Sequence, residues 1–330
     1  MKIELNSYYI HEILSLSKAD DISFINKNGF NYIVAHEQED VTFKIQIVRK
    51  LHGKCDSGQT LISRSVLKLL PKDTRVEITE DNIIAGNRKI KYVSNCLVDE
   101  TIKVDNLLTT MPIDELKHLL NCSYAMAKDE ARPILNGICI NNNEFTALDG
   151  YRLALRKGNI EVKEPVIVSG DLIKVIKKVK YDGNVNIYYN NNYVKFQFRD
   201  LEIIGYRQQG EYINYNSIIP EDYNTKVALK TKPILDILKD YKKNKFDLVK
   251  LDFQNNELVV KANNETATIE DKLCISLQGQ PLEIAFNIDY LIDAFKNYET
   301  ATLELTARVN PMVIKDNNKL DLVLPVRIRD

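Results

Sequence analysis

The sequence predicts an α+β fold of three tandem, pseudo-equivalent domains, each with a pair of helices backed by antiparallel sheets. A helix-plus-hairpin pattern recurs six times along the 330 residues. The segment Thr-x-Pro-Ile also occurs twice, at Thr110 and Thr231, 121 residues apart. A period near one third of the chain indicates three copies of one structural unit. We therefore expect domains at residues 1–108, 109–220 and 221–330.

Six helix starts are predicted, each at the head of an apolar run with helical spacing. Three of them carry a capping side chain, at Ser63, Ser169 and Asn287. Such a side chain accepts a hydrogen bond from a main-chain N–H of the first turn that has no partner within the helix. The other three starts lie near Tyr8, Thr110 and Thr231. The last two place a proline in the first turn, where no amide donor is required.

The segments between the helices have the pattern of antiparallel hairpins. Val185, Ile187 and Tyr189 alternate with polar neighbours, and a similar alternation follows the three asparagines at 190–192. Asparagine clusters at 141–143 and 255–256 separate other alternating segments. Period-two alternation interrupted by asparagine predicts strands joined by tight turns, with one face of each sheet in solvent.

Composition excludes several classes of protein. No apolar stretch approaches the roughly 18 residues of a membrane span, and the start Met-Lys-Ile-Glu-Leu-Asn lacks the apolar run of a secretory signal. Five cysteines occur singly, which favours reduced thiols over a disulfide framework. The sequence therefore predicts a cytoplasmic protein.

No arrangement of side chains suited to catalysis is evident. The four histidines are isolated from one another and from the cysteines, so no metal-ligand spacing occurs. The segment from Gly53 to Thr60 resembles a phosphate-binding loop in outline, but Gln59 stands where the lysine is required and a strand follows. We predict that the protein is not an enzyme and binds no metal and no cofactor.

Charge is segregated along a chain of net charge −1. Lys174, Lys177 and Lys178 load one predicted helix, and Lys242 and Lys243 load the end of another. Segregated signs in a near-neutral chain can present a basic surface to one partner.

Several motifs, in order along the whole chain, carry a family resemblance. They are Ala-Arg-Pro-Ile-Leu-Asn-Gly at 131–137, Phe-Thr-Ala-Leu-Asp-Gly-Tyr-Arg-Leu-Ala-Leu at 145–155, Ile-Ala-Phe-Asn-Ile-Asp-Tyr-Leu at 284–291, and Leu-Val-Leu-Pro-Val-Arg at 322–327. Together they resemble the bacterial DNA polymerase III beta subunit, the sliding clamp, and the last is similar to Gram-positive members. The resemblance implies three clamp domains per chain, forming half of a closed ring. Two chains then close head to tail around duplex DNA and act as a processivity factor.

The resemblance also implies a pocket between the second and third domains that binds short peptides of the DNA polymerase III catalytic subunit, the clamp loader and repair proteins. Its residues are Leu135, Leu148, Gly150, Tyr151, Arg152, Leu153, Ile218, Phe246, Asn287, Tyr290, Val309, Val323, Leu324, Pro325, Val326 and Arg327. Tyr151 departs from the histidine that is usual in the family. Leu135, Val309 and Val323 could equally be core residues, since each is aliphatic.

Sequence-independent contacts with DNA are expected from basic side chains of the inward-facing helices. The candidates are Arg64, Lys68, Lys128, Arg132, Lys174, Lys177, Lys178, Lys242 and Lys243.

The interface of the homodimer is expected at Ile90 and Tyr92 on one side and at Asp240 and Tyr241 on the other. Asp240 and Tyr241 replace an aliphatic pair that is frequent in the family, so closure would depend more on charge. The first third is shortened, with Asp20–Ile25 in place of a Pro-Ile-Leu segment. These departures leave an alternative, a clamp-like protein-binding scaffold that does not encircle DNA.

Overall fold

The computed structural model describes residues 1–39, 42–53, 57–94, 101–129 and 132–327, and it confirms the α+β class. In these ranges six α-helices occur. They are α1 (Ser7–Leu16), α2 (Arg64–Leu67), α3 (Ile113–Leu119), α4 (Gly170–Ile176), α5 (Thr231–Lys243) and α6 (Ile288–Phe295). Short 3-10 helices span Leu120–Ala125, Pro133–Leu135 and Tyr215–Ile218. No helix of the described residues is long and apolar enough to cross a membrane.

Antiparallel strands make up most of the rest of the described chain. The first thirteen are β1 (Ile3–Asn6), β2 (Asp21–Lys27), β3 (Phe30–Glu39), β4 (Thr42–His52), β5 (Gly58–Ser63), β6 (Arg75–Ile78), β7 (Asn82–Ala85), β8 (Arg88–Lys91), β9 (Asn106–Pro112), β10 (Gly137–Asn141), β11 (Glu144–Leu148), β12 (Arg152–Lys157) and β13 (Val166–Ser169). The next six are β14 (Asn184–Tyr189), β15 (Tyr193–Phe198), β16 (Leu201–Gln208), β17 (Thr225–Lys230), β18 (Leu248–Gln254) and β19 (Glu257–Asn263). The last six are β20 (Thr268–Cys274), β21 (Ser276–Gly279), β22 (Leu282–Asn287), β23 (Thr300–Leu305), β24 (Met312–Lys315) and β25 (Lys319–Val323).

The first of two compact units comprises residues 1–117 and 168–209. One of its sheets has the strand order β1-β6-β7-β8. Eight further strands pair in the order β9-β14-β15-β16-β4-β3-β2-β5. The central pairing, β16 with β4, joins strands that are about 150 residues apart in the sequence, with Leu201 opposite Arg49 and Gly205 opposite Ile45.

The second unit comprises residues 118–167 and 210–330 and repeats this plan. One sheet has the order β20-β19-β18-β22. Eight further strands pair in the order β10-β11-β12-β25-β24-β23-β17-β21. Here the central pairing is β12 with β25, with Arg152 opposite Val323 and Arg156 opposite Lys319.

The helix starts predicted from the sequence are confirmed. Ser169 and Asn287 act as N-caps, and their side-chain oxygens accept hydrogen bonds from first-turn N–H groups. Ser63 occupies the N-cap position of α2 without a side-chain cap bond, and Asn6 caps α1 two residues before the predicted start at Tyr8. In α4 the apolar residues Leu172, Ile173, Val175 and Ile176 are buried, and the lysines between and after them are exposed.

The hairpins are also confirmed, but the prediction of one solvated face holds only for some of them. Strand β18 alternates between exposed and buried positions. Strands β10, β11 and β12 are buried at nearly every position, because both of their faces are covered. The predicted turns are present, and Asn143 and Asn255 adopt the positive φ angles that asparagine tolerates better than most residues.

The two units are not the three predicted domains, because each takes part of the middle third of the chain. Strands β14 to β16 continue the pairing that begins in the first third, and β10 to β12 continue into the last third. The boundaries at 108 and 220 therefore stay a prediction.

Candidate functional site

A tight turn at residues 149–152 lies beside the central strand pairing of the second unit. Asp149 Oδ1 accepts hydrogen bonds from the main-chain N–H groups of Tyr151 and Arg152, both at 3.0 Å. Gly150 has a φ of 90°, which an L side chain rarely adopts, so glycine is required at this position. The turn presents Tyr151 outward and turns Arg152 inward, with 60% and 8% of their surfaces exposed.

Arg152 is held by two carboxylates and two aromatic rings. Its Nε donates to Asp149 Oδ2 at 2.9 Å, and its Nη1 donates to Asp293 Oδ2 of α6 at 2.7 Å. The guanidinium carbon lies 4.6 Å from the ring centroid of Tyr290 and 5.4 Å from that of Tyr124. Burial opposes the charge, but the hydrogen bonds to Asp293 and Asp149 outweigh it and raise the pKa of Arg152 above its ordinary value. The guanidinium of Arg152 therefore keeps its positive charge, in one position, over the whole accessible pH range.

Tyr151 and Tyr290 form a stacked pair at the surface. Their ring centroids are 6.0 Å apart with an interplanar angle of 29°. Asn287 positions Tyr290, because its Oδ1 caps α6 by accepting hydrogen bonds from the N–H groups of Asp289 and Tyr290. Burial, followed by the charge of Asp149, raises the pKa of Tyr290, so its phenol stays neutral. The pair offers flat apolar surface with two hydroxyl groups.

The chain that follows β25 forms one wall of this region. The N–H of Leu324 donates to the carbonyl of Tyr151 at 2.8 Å, and the N–H of Val326 donates to the carbonyl of Ala285 at 2.8 Å. These bonds hold Leu324, Pro325 and Val326 half-buried beside the turn at 149–152. Val309, Val326 and Arg327 also line a surface pocket of about 440 Å³.

An apolar cluster lies under the turn. Leu135, Leu148 and Leu153 are at most 3% exposed and pack in one cluster, with Leu324 at its margin. A ligand could reach Leu324 at once, whereas the three buried leucines would contact it only if the surface opened. The structure thus brings most of the predicted pocket residues into one neighbourhood of the second unit.

The remaining predicted pocket residues differ in burial. Phe246 and Val323 belong to the hydrophobic core of the last third, at 4% and 1% exposure. Val323 and Leu135 are thus buried as core residues are, whereas Val309 is 61% exposed. Ile218, at the end of the 3-10 helix Tyr215–Ile218, is 40% exposed.

Sequence reasoning missed Tyr124, Asp149 and Asp293 as members of this site. Asp149 lies inside the recognised motif at 145–155, and an aspartate before glycine is a turn signal that could have singled it out as a site residue. Tyr124 and Asp293 lie 28 and 141 residues from Arg152, so only folding brings them to it.

The predicted DNA-facing residues differ in how far they are available. Those exposed at the surface are Lys68, Lys128, Arg132, Lys174, Lys177, Lys178 and Lys243. Arg64 instead donates to the carbonyls of Leu14 and Ala19, at the end of α1. Lys242 forms ion pairs with Asp247 at 3.0 Å and with Asp289 at 2.8 Å. Arg132 lies beside the turn at 149–152, with its Nη1 3.8 Å from the point where a Gly150 Cβ would stand.

Acidic side chains lie near the lysines of α4 and of the segment that follows it. Lys174 and Lys178 line a groove of about 480 Å³ in the first unit, and its other charged lining residues are Asp20, Asp21, Glu37 and Asp171 together with Lys18 and Lys44. Lys174 pairs with Asp171 at 3.0 Å within its own helix. Attraction of phosphates to α4 is therefore weaker than its lysine content alone suggests.

The predicted interface residues divide into exposed and buried members. Tyr241 is 0% exposed, and the single proton of its hydroxyl is shared between two acceptors, the carbonyl of Val260 at 3.0 Å and Asp271 Oδ2 at 2.8 Å. Tyr92 is 8% exposed, and its hydroxyl donates to the carbonyl of Thr79. The prediction that these tyrosines meet another chain conflicts with their burial, because both hydroxyls are satisfied inside the protein. Asp240 is exposed and Ile90 is half-buried.

Comparison with known families identifies two segments of the chain. Residues 110–214 match the family described as DNA polymerase III beta subunit, central domain. Residues 216–326 match the DNA polymerase III beta subunit, C-terminal domain.

Similar proteins are named accordingly. The chain is 28% identical over 240 residues to the beta sliding clamp of Bacillus subtilis, which is 66% of this chain and 64% of that protein. It is 28% identical over 231 residues to the beta sliding clamp of Synechococcus elongatus, covering 62% of this chain and 61% of that one. The chain thus matches less than two thirds of the length of these relatives.

Two solved structures have the same fold. The crystal structure of a DNA polymerase sliding clamp from Bacillus subtilis superposes with a TM-score of 0.88 at 20% identity and covers all of both chains. A sliding clamp from Bartonella birtlesii bound to griselimycin superposes with a TM-score of 0.87 at 20% identity, covering 99% of this chain and 100% of that one.

Proposed function

The chain belongs to the bacterial DNA polymerase III beta subunit family, and from this premise we propose that it is a DNA sliding clamp. In this proposal it is a non-catalytic, cytoplasmic processivity factor that encircles duplex DNA without reading its sequence. It tethers DNA polymerase III and other replication and repair proteins through a peptide-binding pocket. The proposal is supported by the match of fold over the whole chain, together with the arrangement of side chains around the turn at residues 149–152. A clamp-like scaffold that does not encircle DNA is not favoured.

The pocket suits a peptide with apolar anchors and a polar main chain. Tyr151, Tyr290 and Leu324 offer apolar surface, and Arg152 supplies a positive charge that is fixed by Asp149 and Asp293. A few rigid aromatic and aliphatic contacts around one oriented cation are typical of sites that bind short segments. The peptide that we propose for this surface is of the type Gln-x-x-Leu-x-Phe, which the resemblance to the sliding clamps implies.

We further propose a homodimer closed by sheet edges. Strand β8 is an edge of the four-stranded sheet of the first unit and carries Arg88, Lys89 and Lys91. Strand β20 is an edge of the four-stranded sheet of the second unit and carries Glu270 and Asp271 next to Lys272, which pairs with Glu257 at 3.3 Å. An edge strand presents unpaired main-chain groups to another chain, and opposite charges favour this pairing. Tyr241 would then act from inside by holding Asp271.

DNA retention tests the proposal. We expect the protein, once loaded onto a nicked circular duplex by its clamp loader, to stay bound through gel filtration and to be released when the circle is cut. A topological ring loses its hold at a DNA end, whereas a protein held by contacts alone does not. Equal retention on circular and linear DNA would contradict encirclement, and so would a monomer at micromolar concentration in sedimentation.

The basic face of α4 is tested with Lys174, Lys177 and Lys178 changed together to Glu. We expect loss of retention with an unchanged melting temperature, because all three side chains are exposed. A charge-matched control changes the exposed Lys27, Lys157 and Lys163 to Glu. Equal loss in the control would show that net charge, and not the α4 face, governs retention.

A further inference from the structure

A charged pair is buried in the second unit behind the candidate site. Arg156 of β12 and Asp321 of β25 have side chains that are 1% and 0% exposed. They form a two-pronged contact, with Nη1 donating to Oδ1 at 3.0 Å and Nη2 donating to Oδ2 at 3.1 Å. Tyr124 completes the arrangement by donating its hydroxyl to Asp321 Oδ1 at 2.6 Å. Nothing in the proposed contact with a peptide uses these side chains directly.

The pair fixes how β12 lies on β25. In the observed register Arg156 is opposite Lys319 and Ala154 is opposite Asp321, so the two charges are diagonal neighbours. A slip of two residues, which preserves the faces of the strands, would bring Asp321 directly opposite either Arg156 or Arg152 and so break the diagonal, two-pronged contact. It would also move the carboxylate by about 7 Å from the Tyr124 hydroxyl that donates to it. An apolar pair at these positions would impose no such constraint on the register.

Tyr124 connects the pair to the site. Its hydroxyl contacts Asp321, and its ring lies 5.4 Å from the guanidinium carbon of Arg152. Arg152 in turn contacts Tyr290 of the stacked pair. The same strand pairing places Arg152 opposite Val323, directly before Leu324. Leu324, Arg152 and the stacked tyrosines of the site are therefore all connected to the pairing of β12 with β25.

We propose that Arg156, Asp321 and Tyr124 are positioning residues of the peptide site: the buried pair sets the register of β12 on β25, and Tyr124 transmits it to Arg152. This inference rests on the proposed function, because it assigns a purpose to the support of a peptide site. None of the three residues needs to touch the peptide.

The test measures peptide affinity by calorimetry in folded variants, with a peptide of the type Gln-x-x-Leu-x-Phe. The double variant R156M/D321L replaces the pair by apolar groups, so we expect it to fold but to bind the peptide about tenfold more weakly. Y124F keeps the ring and removes the hydroxyl, and we expect a loss of about threefold. Both measurements are made well below the melting temperature of each variant.

A matched control separates positioning from stability. Glu304 is also buried and pairs with Lys315 at 2.7 Å, but its strand β23 carries none of the site residues. E304Q should lower the melting temperature and leave the affinity unchanged.

The outcomes distinguish the two proposals. If the unaltered protein does not bind the peptide, the assignment of the peptide site fails. If it binds and folded R156M/D321L and Y124F bind equally well, the positioning proposal fails while the site stands. Equal loss of affinity in E304Q would likewise overturn it, because general destabilisation would explain the loss.

Discussion

The two units have the same type of strand order, but the charged pairs beside their central strand pairings differ in burial. In the first unit, Arg49 of β4 pairs with Glu12 of α1 beside the central pairing, and its guanidinium carbon lies 5.4 Å from the Tyr9 ring. In the second unit, Arg156 pairs with Asp321 at the corresponding pairing. The side chains of the first pair keep 12% and 14% of their surface, whereas those of the second keep 1% and 0%.

The two central pairings also differ in the segments that follow their strands. Beyond β4, the N–H of Gly53 bonds to the carbonyl of Gly29, between β2 and β3. After β25 the chain runs on through Leu324 and Val326 along the turn at 149–152. Among the residues that the structure describes, the turn at 149–152, the held cation and the stacked tyrosines occur together in the second unit. The site combines the common strand pairing with this turn, with α6 and with the segment after β25.

The largest expected effect concerns the two arginines. Arg156→Met leaves the carboxylate of Asp321 buried without its partner, so we expect a loss of about 4 kcal/mol in the free energy of unfolding. Arg49→Met in the first unit should cost about 2 kcal/mol, because Glu12 retains contact with water. Urea denaturation followed by circular dichroism measures both. Equal losses of stability in the two variants would show that the difference in burial between the two pairs does not affect their contribution to stability.

The second effect concerns binding. Tyr290→Ala combined with Leu324→Ala should weaken the affinity for a Gln-x-x-Leu-x-Phe peptide by at least about a hundredfold, because anchor contacts dominate such sites. Tyr9→Ala removes the tyrosine beside Arg49 in the first unit and should leave the affinity unchanged. Calorimetry decides, and an unaltered affinity in the double variant would move the site away from residues 149–152.

A smaller effect separates the buried and exposed members of the predicted interface. Tyr241→Phe removes a hydroxyl that donates to Val260 and Asp271, so we expect a loss of about 1 kcal/mol in the free energy of unfolding. Asp240→Ala should change stability little, since Asp240 is exposed. Thermal melts measure both variants. A larger loss of stability in Asp240→Ala than in Tyr241→Phe would reverse this assignment.

The smallest expected effect is a difference in chemical labelling between two cysteines of the second unit. Burial raises the pKa of Cys139 to about 12, whereas Cys274 is exposed at the end of β20. At pH 8 we expect a thiol reagent to label Cys274 in minutes and Cys139 only after unfolding, because the thiolate is the reactive form. Peptide mass mapping resolves the two sites. Rapid labelling of Cys139 would mean that the strands around it open readily.

Local signals in the sequence accounted for much of the fold. Caps such as Ser169 and Asn287, and asparagine turns such as the one at 141–143, act within a few residues, so their consequences can be derived without a structure. The pairing of β12 with β25 could not be derived in this way, because it joins positions about 170 residues apart. The burial of Tyr241 was missed for a related reason: the acceptors of its hydroxyl lie on β19 and β20.

By itself, the sequence determined the α+β class, the helix starts, the hairpins and the motifs of the family, because these depend on short-range periodicity and on residues that are neighbours in the chain. Only the tertiary structure decided that Asp149, Asp293 and Tyr124 surround Arg152, and that Arg156 is neutralised by Asp321. The physical reason is that a charge is stabilised by whatever surrounds it in space, and long-range strand pairing supplies those surroundings.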